Sequence, residues 1–225
     1  MSASWIAADW PAPENVVAGT TLRGSSIHSL GLSGEPCWLN QVHGADVVEA
    51  RRYDKPPTAD ASFSRQPGAT CVVRTADCLP VLFCSVDGTE IAAAHAGWRG
   101  LAAGVLEATV ARMANEPGKL MVWLGPAISQ TAFEVGGEVR DVFVQSDPGA
   151  SECFEPNARG RWQADLYALA RRRLAALGTS DCFGGGLCTF ADEERFYSYR
   201  RNAETGRLVS FIALKTLENR GGDAI

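Results

Sequence analysis

The chain lacks several features that would assign it to common functional classes. No stretch of its 225 residues is an uncharged apolar run long enough to span a bilayer. No block of lysine and arginine interrupts a sequence whose formal charge is −5, with both signs spread along it, so nucleic acid is not a favoured partner. The first ten residues, Met1 to Trp10, have neither a basic start nor an apolar core, which argues against a secretory signal. Neither a dinucleotide-binding glycine fingerprint nor a P-loop is present. Repeats, low-complexity tracts and linkers are also missing, so one unit over residues 1–225 is expected, with no membrane contact. Seven cysteines at irregular spacing, without a secretion signal, point to reduced thiols and a cytoplasmic protein.

What is present centres on Ile91-Ala92-Ala93-Ala94-His95-Ala96-Gly97-Trp98-Arg99-Gly100. This small-residue apolar run predicts a buried strand that breaks at Gly97 and restarts as a helix over Leu101 to Ala114. Strands are predicted at Asn15–Thr21, Cys37–Val42, Asp46–Ala50, Ala69–Thr75, Pro80–Val86, Glu90–His95 and Leu120–Leu124, with a short one from Cys182. Helices are predicted near Glu138–Gln145 and from an Asp165 cap to a Gly178 stop. Residues 51–68 and 147–160 read as loop, with Thr58–Phe63 a candidate stretch for touching the site. Residues 196–201 and 208–217 read as a terminal hairpin. The irregular alternation predicts a single mixed-sheet α/β sandwich rather than a barrel or a doubly wound fold.

Three side chains stand where strands meet turns: His43 in Asn40-Gln41-Val42-His43-Gly44, Cys78 in Thr75-Ala76-Asp77-Cys78-Leu79-Pro80, and His95. Imidazole and thiolate are the usual zinc ligands, and three of them leave a fourth position open, the catalytic arrangement. A metal-free reading stands beside it, with Cys78 a nucleophile and a histidine its base. Two histidines and a cysteine also suit blue copper, but that site wants a weak axial methionine. The three methionines, Met1, Met113 and Met121, adjoin none of these loops. Arg23 lies in the polar turn Thr20–Ser26, either as a solvated residue or as an anion clamp for phosphate or carboxylate. His28 is assigned no role, Cys71 and Cys84 read as small buried hydrophobes, and Arg200 and Arg201 as structural or solvated.

These motifs, together with Gly125-Pro126-Ala127-Ile128, Phe133-Glu134-Val135-Gly136 and Phe196-Tyr197-Ser198-Tyr199-Arg200-Arg201, closely resemble the bacterial laccase-domain family. That family is also called multicopper polyphenol oxidoreductase-like, or YfiH, and its fold is similar to cysteine hydrolases of the cytotoxic necrotizing factor type. The resemblance implies that His43, Cys78 and His95 are zinc ligands and catalytic, that Arg23 binds anionic substrate or phosphate, and that Asn40, Gln41, Asp77 and Arg99 contact substrate. It implies phosphorolysis of adenosine, guanosine and inosine, and deamination of adenosine. Its alternative is peptidoglycan editing, the hydrolysis of L-serine from a wrongly built UDP-MurNAc-L-Ser muramyl precursor, with Cys78 as nucleophile, His95 as base and Asp77 or a backbone carbonyl orienting it. Copper polyphenol oxidation is the least favoured activity. The partners implied are small molecules, and the assembly a monomer or weak homodimer. The chain departs from the family in one region. Gly31 stands in Ser29-Leu30-Gly31-Leu32 where the family has asparagine, and the segment from there to Gln41 is short and without a helix.

Overall fold

A computed structural model describes residues 3–32 and 34–216. The elements, in chain order, begin with β1 (Trp5–Ala7), β2 (Val16–Thr21), β3 (Pro36–Cys37), β4 (Val47–Glu49), β5 (Ala61–Ser64), β6 (Thr70–Thr75), β7 (Leu79–Ser85) and β8 (Ile91–Ala96). They continue with α1 (Trp98–Ala103), α2 (Val105–Arg112), β9 (Leu120–Leu124), β10 (Glu134–Val135) and α3 (Gly137–Ser146). The last are β11 (Phe154–Pro156), β12 (Trp162–Ala164), α4 (Leu166–Ala176), β13 (Asp181–Gly184) and β14 (Leu208–Leu214).

The α/β sandwich is present, but the expected single sheet is resolved into two that pack face to face, with a small third. A six-stranded mixed sheet runs β13-β9-β7-β8-β5-β4, and a five-stranded one β1-β2-β14-β6-β3. A three-stranded sheet, β10-β12-β11, stands apart. Side-chain alternation explains the layering. On β7, Leu79, Val81 and Phe83 face the helices, while Leu82 and Cys84 face the second sheet. On β14, Ile212 and Leu214 meet that same inter-sheet core, and Phe211 turns to the outer face with Val72 and Ile27. The central strands are buried on both faces, which is why they read as unbroken apolar runs.

Four predictions need correction. Residues 51–68 are not all loop, because β5 lies inside them and pairs antiparallel with β8, Ala61 opposite Ala94. Its short Ala-Ser-Phe-Ser run carries too few branched residues to announce a strand. The helix after Gly97 starts at Trp98 and is cut in two by Gly104, whose φ of 89° closes α1 with bonds to the Gly100 and Leu101 carbonyls. Loop 147–160 holds a 3-10 turn, Pro148–Cys153, and β11. The terminal hairpin is absent: β14 pairs with β2 and β6, while residues 196–201 form turns. Leu217, the last residue of that predicted strand, and Met1 lie outside the described residues.

The remaining helices behave as their sequences dictate. Asp165 caps α4 by accepting the Ala168 N–H, and Gly178, at φ 89°, follows its end. Between Leu32 and Gln41 the described residues hold only β3 and no helix. All seven cysteines are free. Cys71 and Cys84 are fully buried, and burial pushes both thiols up to about 12. No helix among the described residues is long and apolar enough to cross a membrane.

Candidate functional site

The strand ends converge. Cys78 occupies the β6–β7 turn, His95 lies one residue before the end of β8, and His43 sits in the loop before β4. Register places Leu79 opposite Ala96 and Pro80 opposite His95, so the turn carrying Cys78 folds over Gly97. A Cβ on Gly97 would stand 2.7 Å from the Cys78 Sγ and 3.2 Å from the His43 Cδ2. Only glycine lets the two ligand-bearing loops close to this distance. The ligand atoms of His43, Cys78 and His95 all lie within 4.8 Å of one another, with Cys78 Sγ 3.9 Å from His43 Nε2. The two imidazoles meet edge to face at 4.8 Å between centroids.

One carboxylate organises both histidines. Asp60, fully buried in the turn before β5, accepts the His43 N–H on Oδ1 at 2.9 Å and the Gly44 and Val42 N–H groups on Oδ2 at 2.7 and 3.1 Å. These bonds hold His43 at φ 61°, a left-handed conformation that few non-glycine residues adopt. The same Oδ1 lies 2.8 Å from His95 Nδ1. Donation of the Nδ1 proton to that carboxylate leaves the His95 Nε2 lone pair free for a metal. Burial alone would raise the Asp60 carboxyl, but the His95 bond and the Gly44 and Val42 N–H groups outweigh it and hold it below the ordinary range.

The donor set suits a metal ion. Tetrahedral zinc, with bonds of about 2.0–2.3 Å, places its ligand atoms roughly 3.3–3.7 Å apart. The triad needs only small side-chain movements to meet that spacing. Without an ion, burial pushes the Cys78 thiol up, and bonds from His43 and His95 more than reverse this, bringing it to about 6. For His95, burial lowers the imidazole, and Asp60 and Cys78 together raise it to about 9. Both shifts favour a thiolate beside an imidazolium, and a metal cation would take the place of that proton.

Asp77 has a different place from the one expected. Asp60, not Asp77, orients His95. Asp77 is the second non-glycine residue with positive φ, at 91°. Its Oδ1 accepts the Thr189 hydroxyl at 2.6 Å, and its Oδ2 the Ser198 hydroxyl and the Arg200 N–H at 3.0 and 2.7 Å. It ties the Cys78 turn to residues 189–200. Arg201 belongs to the same construction, donating to the carbonyls of Thr189, Phe190 and Phe196.

The triad forms the floor of an open cleft of about 830 Å³. Gln41, Asp77 and Arg99 line it, as do Trp98, Phe133, Tyr199 and three arginines that sequence reasoning did not place there, Arg74, Arg200 and Arg207. The Gln41 amide is doubly bonded to the Arg74 backbone, donating to its carbonyl and accepting its N–H. Two expected residues are not brought to the cleft. Asn40 bonds Thr58 across an isolated bridge. Arg23 donates to the Glu193 carbonyl at 3.1 Å, pairs with that residue's carboxylate at 3.6 Å and lies over the Tyr197 ring. The short segment around Gly31 borders a separate cleft of about 520 Å³ with Ile27, His28 and Trp38, and no residue of it enters the first.

Two packed sheets with helices on one outer face, and at converging strand ends a two-histidine, one-cysteine group that could hold a metal ion, define the class of this α/β protein. The chain belongs to the multi-copper polyphenol oxidoreductase laccase family, whose model matches residues 13–215. It is 49% identical over 240 aligned positions to a Pseudomonas aeruginosa protein named purine nucleoside phosphorylase PA4543, covering 94% of this chain and 99% of that one. It is 54% identical over 185 positions to Escherichia coli purine nucleoside phosphorylase YfiH, covering 81% of this chain and 75% of the relative. The crystal structure of Neisseria meningitidis protein NMB0706 superposes with a TM-score of 0.90 at 41% identity, covering 95% of this chain and all of that one.

Proposed function

We propose that the chain acts as one catalytic domain over residues 1–225, in the cytoplasm, as a zinc-dependent purine nucleoside phosphorylase that also deaminates adenosine. The observation that carries this reading is the convergence of His43, Cys78 and His95 on one point below an aromatic-walled cleft. The relatives' names support it. In phosphorolysis a phosphate oxygen attacks C1′ of the nucleoside, the C1′–N9 bond breaks, and the base leaves with a proton at N9. The chain's own part is binding and alignment. Trp98, Phe133 and Tyr199 line the cleft with apolar surface against which the purine would pack, and His43, Cys78 and His95 would hold the ion. A zinc ion held by these three side chains would supply the acidified water that deamination at C6 requires. Substrates are adenosine, guanosine and inosine with phosphate, and the protein works as a monomer or weak homodimer.

A second reading has its own support. The lowered Cys78 thiol, His95 and Asp60 form a cysteine–histidine–aspartate series suited to amide hydrolysis, such as release of L-serine from a muramyl precursor. Copper polyphenol oxidation is not supported. The whole sequence has three histidines, and His43-Cys78-His95 is the one three-ligand group among the described residues. Met113 and Met121 pack in two different hydrophobic cores. The test presents adenosine with phosphate, adenosine without it, and a muramyl-L-serine precursor, before and after chelation. Phosphate-dependent adenine, and inosine without phosphate, both lost on chelation, are expected. Nucleoside turnover that persists in metal-free protein contradicts the zinc mechanism. Serine release that persists establishes the cysteine reading.

A further inference from the structure

With Arg23 placed outside the cleft, the anion that phosphorolysis needs must be held by other groups. The cleft wall carries Arg74, Arg99, Arg200 and Arg207. Among the described residues none of the four forms an ion pair, although the chain carries a net charge of −5 and nine other arginines do pair with carboxylates. The one acidic side chain on the wall, Asp77, has both oxygens turned to Thr189, Ser198 and the Arg200 N–H. Cationic groups gathered on one concave wall and left without carboxylate partners concentrate positive potential there and draw in anions.

The way each guanidinium is held adds a second observation. Arg99 lies 4.4 Å over Trp98, Arg200 5.6 Å over Phe133, Arg74 5.9 Å over Trp38 and Arg207 6.0 Å over Tyr199. Arg74, Arg200 and Arg207 also donate to backbone carbonyls of Leu39, of Ala132 and Glu134, and of Thr205 and Gly206. The Arg99 guanidinium makes no hydrogen bond to the described residues. Stacking and carbonyl bonds fix the guanidinium positions without neutralising them, and an arginine has five N–H groups, so donors remain.

We infer that the Arg74, Arg99, Arg200 and Arg207 wall is a phosphoryl-anion subsite opening onto the His43-Cys78-His95 floor. The ligand is either free phosphate beside a nucleoside or a phosphate ester on the substrate itself. The inference deepens the phosphorolysis reading, but its test is binding rather than turnover. Inorganic phosphate, adenosine 5′-monophosphate and adenosine are titrated calorimetrically into the metal-loaded full chain. Arg99→Gln and Arg207→Gln should each weaken phosphate or monophosphate binding about tenfold or more with metal content unchanged, and Arg207→Lys should restore part of it. Arg23→Ala should bind as the unaltered protein does. Phosphate that binds together with adenosine identifies the free anion as ligand, and monophosphate that excludes phosphate and outbinds adenosine identifies the ester. Either supports the subsite, even if phosphorolysis is never observed. Failure of both anions to bind, or undiminished binding by both Gln variants, overturns it.

Discussion

The floor of the cleft and its wall are built in different ways. The floor comes from strand ends and the turns beside them, fixed by sheet register and by one buried carboxylate, Asp60, that contacts two of the three ligands. The wall comes from Arg74 at the end of β6, Arg99 at the start of α1, and Arg200 and Arg207 in a turn region, each braced against an aromatic ring. Such a floor holds the three ligand atoms within 4.8 Å of one another, close enough for small side-chain movements to complete a metal site. A wall carried partly by turns and solvent-facing side chains is free to vary while the floor is kept. Asp77 joins the two, since it both precedes Cys78 and accepts the Arg200 N–H.

The largest effect that separates them is expected at Asp60. Asp60→Asn removes the charge that orients His95 and weakens the cap on the His43 loop, and metal affinity should fall about 10–100-fold. Competition with a chelator of known affinity measures this, and unchanged affinity would place the organisation of the floor elsewhere. Next is the reactivity of the metal-free thiol. The bonds from His43 and His95 lower the Cys78 thiol to about 6, so its thiolate is expected above that pH and should be lost as pH falls through it. Alkylation at Cys78, followed by peptide mass spectrometry, should therefore show a midpoint near 6 rather than the usual about 8.5. In Asp60→Asn the midpoint should rise, because a less basic His95 stabilises the thiolate less. Smaller again is Gly97→Ala. Its added methyl meets the Cys78 sulfur at 2.7 Å, and overpacking of this kind costs about 1–3 kcal/mol. Thermal unfolding and metal retention should both decline, while Gly137→Ala, which meets nothing within 4 Å, should change neither. The smallest effect is expected at Arg23. Arg23→Ala removes an exposed pair with Glu193 and should leave metal content and turnover as they are. A clear loss of either would return Arg23 to the site.

That contrast also governs what could be read from the sequence. His43, Cys78 and His95 were legible because strand-to-turn boundaries show as apolar runs ending in glycine or polar residues, and their residue types suit one chemistry. The paired sheets were legible only as a sandwich of alternating elements, because register and strand order depend on contacts far apart in the chain, such as β14 between β2 and β6. Asp60 had a faint signal, a lone carboxylate between Ala59 and Ala61 in a small-residue stretch, where burial requires a partner. The partner, His95, is 35 residues away. Arg23 could not be placed from sequence, because a guanidinium in a glycine-serine turn looks the same whether it meets an anion or Glu193. Arg74 and Arg207 gave no local sign at all. Arg74 is an exposed position on an otherwise buried strand, and Arg207 lies in the turn before β14. Only the fold brings them to one wall.

The proposed function rests on a single zinc held at the floor by His43, Cys78 and His95. Elemental analysis of protein purified without added metal, with Cys78→Ala measured beside it, tests this most directly. Zinc near one equivalent per chain in the unaltered protein, largely lost in Cys78→Ala, is the predicted result. Stoichiometric copper with an intense blue absorption, or a zinc content unaffected by loss of the Cys78 sulfur, would contradict it.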